Sequence, residues 1–157
     1  MVTLRPMNEA EYDTFTAGTL EGYIAERAEA DDMSLEQERE VATKQVADIL
    51  PQGFRTPGHH FWRVEAEGAP VGSLWVFVDD AQRRAFIYDI VVDASERGKG
   101  YGEATMRALE DELRPTKVTH IGLNVFGPNT IARALYDKMG YRVAATNMLK
   151  RITNDEG

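Results

Sequence analysis

The 157-residue sequence contains no cysteine, which excludes disulfides, thiolate zinc sites and a cysteine nucleophile. Any group transfer by this chain therefore proceeds without a protein thiol. Basic residues are also scarce: 18 Lys and Arg stand against 26 Asp and Glu, a formal charge of -8. A broad cationic footprint for nucleic acid is accordingly not expected. No apolar run approaches the roughly 20 residues that a membrane helix needs, and Met1–Pro6 lacks the basic start and apolar stretch of a signal peptide. A cytoplasmic protein without membrane or nucleic-acid partners is the expectation. Repeats, linkers and low-complexity tracts are absent too, and the length suits one domain, residues 1–157, better than two.

What is present reads as a mixed α/β domain. Asn8 with Glu11 fits a capping box, with Met7 and Tyr12 placed to staple it, so a helix is expected from Asn8. Ser34 with Gln37 repeats the box ahead of Leu35, Ala42, Val46 and Ile49, a helical stripe that Pro51 ends. Between the two helix starts lies an acidic stretch, Glu21, Glu26, Glu29, Asp31 and Asp32 against Arg27, which reads either as a solvated face or as a lure for a cationic substrate. From Phe61 the pattern changes to period two. "HFWRVEA", the turn "EGAPVG" and "SLWVFV" predict a hairpin. "AFIYDIVV", Ala85–Val92, is almost continuously apolar and predicts a core strand buried on both faces. "VTHIGLNV", Val118–Val125, predicts another strand, "NTIARALYDKM" a short helix closed by Gly140, and "YRVAATNMLKRI" a last pair of strands.

The stretch "SERGKGYGEATMRALEDEL", Ser95–Leu113, follows the apolar strand and opens a helix, because Tyr101, Ala104, Thr105, Ala108 and Leu109 recur at helical spacing. A strand-to-helix turn of this kind presents free backbone N–H groups and the positive end of a helix dipole, and glycine lets a ligand approach the chain closely. Two phosphate motifs fail against these letters. The dinucleotide fingerprint would need glycine where Glu103 stands, and a Walker loop would need Ser or Thr after Lys99.

The remaining pattern, Arg97-x-x-Gly100-x-Gly102, resembles the GNAT superfamily of N-acetyltransferases, in which an Arg/Gln-x-x-Gly-x-Gly/Ala loop follows the fourth strand. A second match lies in "NVFGPNTIARALYDKMGY", which supplies Asn129, Leu135-Tyr136 and Gly140-Tyr141 at the family's spacing. The resemblance covers nearly the whole chain and is strongest from Ala85 to Tyr141. It implies a single-domain α/β (α+β) GNAT fold: a mixed, mostly antiparallel twisted sheet flanked by helices, with the fourth and fifth strands splayed. One departure is Ala94, where the family often has proline.

The resemblance implies acetyl-CoA as co-substrate, no metal, and a primary amine of a small molecule, peptide or protein as acceptor. It also admits a homodimer. Carried over residue by residue, it assigns the pyrophosphate to the loop of Arg97, Gly98, Lys99, Gly100, Tyr101 and Gly102. An oxyanion donor falls within Ile90, Val91 and Val92 of the fourth strand, a cofactor contact to Asn129, and the thiol acid to Tyr136. A base is needed because a lysine-like amine, with a reference pKa of about 10.4, is mostly protonated at neutral pH. Asp89, the one charge in its strand, is the candidate, with His60 and Glu65 behind it; Trp75 and Asn124 are candidates for the acceptor site. Each has a plainer reading. Tyr136 and Trp75 could be core aromatics, Asn129 a helix cap, Arg97 and Lys99 solvated loop cations, and Asp89 a structural hydrogen-bonding group. A non-catalytic acyl-CoA-binding regulatory module is the alternative in another class.

Overall fold

The computed structural model describes residues 1–153. Its chain divides into two compact units, one of Met1–Phe15 with Phe54–Asn124, the other of Thr16–Gly53 with the segment from Val125 onward.

The first unit holds the sheet. β1 (Thr3–Pro6), β2 (His59–Ala66), β3 (Ala69–Asp79), β4 (Arg84–Val92) and β5 (His120–Leu123) lie side by side in chain order. The first three junctions are antiparallel and only β4–β5 is parallel. Glu67 and Gly68, at φ 54° and 80°, make the tight β2–β3 turn, the mirror-image geometry that suits the twist of a hairpin. A parallel pair needs a crossover, and α3 (Tyr101–Leu113) supplies it. Its stripe of Thr105, Met106, Leu109 and Leu113 is buried, and the helix packs on β1, β3 and β4. Helix α1 (Glu9–Asp31) begins in this unit. Its capping box is closed by Asn8 N–H to Glu11 Oε1 at 3.0 Å and Glu11 N–H to Asn8 Oδ1 at 2.8 Å. The first turns then seat Tyr12 and Phe15 against Phe61, at ring separations of 4.8 and 6.3 Å.

The core strand differs from the one expected. β3 is central in the order and is buried without a break from Val71 to Val76, whereas in β4 only Ala85 and Ile87 are buried. The physical reason is that β5 accompanies β4 only from Arg84 to Ile87, so the rest of β4 is apolar yet flanked by one strand.

The second unit holds the rest of α1, α2 (Leu35–Ile49) and α4 (Thr130–Lys138). Ser34 and Gln37 form the expected capping box of α2. Most of the acidic stretch is neutralised locally. Glu38 is buried, and Arg27 Nε donates to it at 2.6 Å while also facing Asp31 at 3.5 Å. Glu21 pairs with Arg39 at 2.6 Å and Asp32 with Arg151 at 2.8 Å. The expected last pair of strands is not formed among the described residues: 142–152 have no regular structure. Val143, Met148, Leu149 and Ile152 there are 66–89% exposed. Strand preference in such residues expresses a half-buried pleated surface more than a backbone tendency, and these side chains are not buried on one.

Candidate active site

The loop that follows β4 is built for close approach. After a single tight turn at Ala94–Glu96, Arg97 is extended, and Gly98 and Gly100 take φ values of 79° and 82°, a region that L side chains rarely adopt. Gly100 is also the N-cap of α3 and provides no side chain to satisfy the helix start. The first amide bonded back into the helix is that of Ala104, to Gly100 O at 3.1 Å. The preceding turn thus offers its N–H groups outward. A Cβ built on Gly98 or Gly100 would meet nothing within 4 Å. Internal packing therefore does not demand these glycines; the backbone twist does, and the space above them is open. The two loop cations are both engaged. Arg97 Nε donates to Val92 O at 3.3 Å, tying the loop to the end of β4, and Lys99 Nζ meets Glu96 Oε2 at 2.8 Å, which raises the lysine's pKa.

The strand leading into this loop has two irregularities at one place. In the β3–β4 ladder Trp75 faces Asp89 while Val76 faces Ile87, so Tyr88 is an extra residue, a bulge. The last parallel pair is Ile87 with Leu123. Beyond it Ile90, Val91 and Val92 are half-buried and, among the described strands, pair with β3 alone. A bulge sharpens twist and re-aims the strand, and here it coincides with the point where β4 and β5 part. Gly72 makes the approach at the far end possible: opposite Val92, its missing Cβ would lie 2.3 Å from Val91 O.

Among the other expected site residues of this unit, Asp89 is half-buried on β4 and Asn124 is exposed just past β5. Trp75 is 3% exposed and stacks on Tyr88 at 4.6 Å, with its indole N–H donated to His59 Nδ1 at 2.9 Å. Its ring is thus enclosed by its neighbours Phe61, His59 and Tyr88. In the second unit, Asn129 caps α4 by accepting from Ala132 N–H at 3.2 Å. It also lines an open depression of about 210 Å³ with Glu26, Glu29, Phe126 and Pro128. Tyr136 is half-buried on α4, its ring 5.8 Å from that of Tyr141. Among the described residues no group of three or more His, Asp or Glu side chains is placed to hold a metal ion.

Residues 21–141 match the acetyltransferase (GNAT) family. This chain belongs to the GNAT family. It is 33% identical over 155 residues to the uncharacterized N-acetyltransferase YycN of Bacillus subtilis (strain 168), covering 96% of this chain and 99% of that one. The crystal structure of YycN superposes with a TM-score of 0.91 over 98% of this chain and all of that one, at 30% identity. A mycothiol acetyltransferase of Beutenbergia cavernae is 40% identical over 84 residues, 53% of this chain and 28% of its own length. In fold alone the chain also resembles the PaiA N-acetyltransferase of Thermoplasma acidophilum, solved in complex with coenzyme A, with a TM-score of 0.66 at 16% identity over 94% and 93% of the two chains.

The GNAT family uses acetyl-CoA, and the geometry of the loop is compatible with such a ligand. Left-handed glycines, a helix start without a side-chain cap and unfilled space above the backbone come together at this turn, the features that suit a phosphate group. The sheet has the family's architecture, mixed and mostly antiparallel with splayed fourth and fifth strands. Sequence reading missed three contributors. Arg63 donates to Ser73 Oγ at 2.7 Å and to Asp93 Oδ2 at 3.2 Å, which pins the exit of β4. Gly72 and His59 are the others. "PVGSLW" carried the only signal, a glycine inside a strand pattern, which marks a close backbone approach.

Proposed function

We propose that this protein transfers an acetyl group from acetyl-CoA directly to a primary amine, within a complex that holds both substrates. The observation that carries this reading is the continuous run from the β4 bulge through the glycine loop to the uncapped start of α3. When bound, acetyl-CoA supplies the activated acetyl thioester. The amides of Tyr101 and Gly102, with the loop backbone from Arg97 to Gly100, bind the pyrophosphate; Arg97 and Lys99 add positive potential. A main-chain amide within Ile90–Val92 donates to the carbonyl oxygen as negative charge develops there. Asp89, directly or through a water, takes the proton that the amine must lose before its nitrogen forms the new C–N bond. As the C–S bond breaks, the phenol of Tyr136 gives its proton to the departing sulfur.

The acceptor class follows from charge. Glu26 and Glu29 line the depression beside Phe126. Carboxylates with an aromatic face suit an ammonium group, so the reading is an amine with further positive charge, such as a polyamine. The test is release of free CoA thiol from acetyl-CoA over a panel of polyamines, amino acids, aminoglycosides and peptides. Turnover fastest with polycationic amines is expected. Protection from thermal unfolding by acetyl-CoA without thiol release from any amine would instead make the protein an acyl-CoA-binding module.

A further inference from the structure

We propose that His59 is a positioning residue for acetyl transfer: it accepts the indole hydrogen of Trp75, fixing the ring on which the bulge residue Tyr88 stacks, and thereby sets how Ile90–Val92 are presented. The inference rests on the reading above that a main-chain amide of this segment serves the acetyl carbonyl.

Trp75 is almost wholly buried, and an indole N–H can only donate, so its burial requires an acceptor. His59, the first residue of β2, is that acceptor, with Nδ1 at 2.9 Å. Because Nδ1 accepts, the neutral ring carries its hydrogen on Nε2. Burial among aromatic rings favours that neutral form, lowering the pKa of His59, and neighbouring His60 adds to the effect. The His59 ring is 4.7 Å from Phe77, 5.6 Å from Tyr88 and 5.9 Å from Trp75. An apolar side chain could fill this position equally well, so packing alone does not call for imidazole. What imidazole adds is a lone pair that fixes one orientation of Trp75. That orientation matters because Tyr88 lies on the indole at 4.6 Å and 21°, with Phe86 against its edge at 4.8 Å. Tyr88 is the extra residue of the ladder, and Asp89, Ile90, Val91 and Val92 follow it. A bulge bends its strand and increases the local twist, so the seat of Tyr88 bears on the direction taken by the residues after it. The Trp75 face that seats Tyr88 is oriented by the His59 hydrogen bond.

The chain has two tryptophans, so a 15N-labelled sample gives two indole signals, and Trp62, stacked on His60, is an internal control. Backbone amide shifts are recorded with CoA and with acetyl-CoA for the wild type, His59→Leu and His59→Asn. In the wild type Ile90–Val92 should respond to the acetyl group, while Gly98, Gly100 and Gly102 respond alike to both ligands. His59→Leu should shift the Trp75 indole signal and lose the acetyl-specific response of Ile90–Val92, yet retain the response of the glycine loop to CoA. His59→Asn, which places an oxygen near the position of Nδ1, should restore both. If His59→Leu does not fold, His59→Gln, whose oxygen sits farther out, is expected to show the same loss. An unaltered acetyl-specific response in the folded variant overturns the role of His59. Identical responses of wild-type Ile90–Val92 to CoA and acetyl-CoA overturn instead the carbonyl contact on which it rests.

Discussion

Gly72→Ala is the smallest change that should damage chemistry without touching a functional group. The added Cβ would stand 2.3 Å from Val91 O and 3.4 Å from Val92 Cα. Ordinary contact begins near 3.4 Å, so the strands must separate locally by roughly 1 Å. The obstacle is a backbone carbonyl inside a ladder, which cannot rotate aside as a side-chain end could. Overpacking of this kind costs about 1–3 kcal/mol, and in a chain of this size each kcal/mol lowers the melting temperature by about 2–4 °C. A fall of roughly 2–12 °C is therefore expected in thermal unfolding followed by far-UV circular dichroism. The catalytic loss should be larger in proportion, because Val91 lies in the segment assigned to the acetyl carbonyl. A displacement of about 1 Å at a reacting centre can lower turnover on the order of 100-fold. CoA affinity, governed by the loop beyond Val92, should change little in isothermal titration. A variant with wild-type melting temperature and turnover would refute the close approach and the importance of Val91 together.

Tyr136→Phe keeps the ring beside Tyr141 and removes the hydroxyl; kcat should fall by about 100-fold or more with little change in acetyl-CoA affinity, and unchanged turnover across pH would exclude Tyr136 as the acid. Gly100→Asp should abolish CoA binding through backbone strain at φ 82° and added negative charge, while Gly100→Ala, carrying only the strain, should lose less; equal affinity for both variants and the wild type would remove the loop from the site. The carboxyl of Glu11 is held near 2, down from 4.5, by hydrogen bonds from Arg5 and then from the Asn8 amide. Since the folded pKa is the lower one, this stabilisation is complete above 4.5 and disappears as pH falls through 2, so Glu11→Gln should lower the melting temperature at pH 7 and match the wild type near pH 2; a difference independent of pH would contradict the ion pair. Arg27→Met leaves the Glu38 carboxylate, 5% exposed, without its counterion and should cost about 3–5 kcal/mol, with Glu38→Gln in the same chain recovering part of it; no loss in urea unfolding would show that the buried pair is dispensable.

Local chemistry made much of this architecture legible. Asn8, Ser34 and Asn129 carry the side-chain acceptors that helix starts require, and all three cap their helices. Gly140, at φ 91°, ends α4 where a left-handed residue was needed. The readings that failed depended on partners that a linear pattern does not specify. The apolar run Ala85–Val92 was expected to be buried on both faces, but its second half lines the gap left by the departure of β5. The apolar residues of 142–152 were read as strands, yet strand formation needs a surface to bury, and those side chains remain exposed.

The same distinction separates the loop from the residues that support it. The turn at Arg97-x-x-Gly100-x-Gly102 could be read because glycine spacing records backbone geometry directly. His59, Arg63 and Gly72 act on residues 16, 30 and 19 positions away respectively, through Trp75, Asp93 and Val91. Their letters are ordinary for strands: an aromatic ring, a surface cation and a small residue. Only the register that brings His59 opposite Phe77 and Gly72 opposite Val92 gives them a common effect. Each bears on β4 at a different place, at the bulge, at its exit and along its last pairs. Substitutions at these three positions should therefore change catalysis while leaving the loop backbone, to which phosphate binding is assigned above, intact.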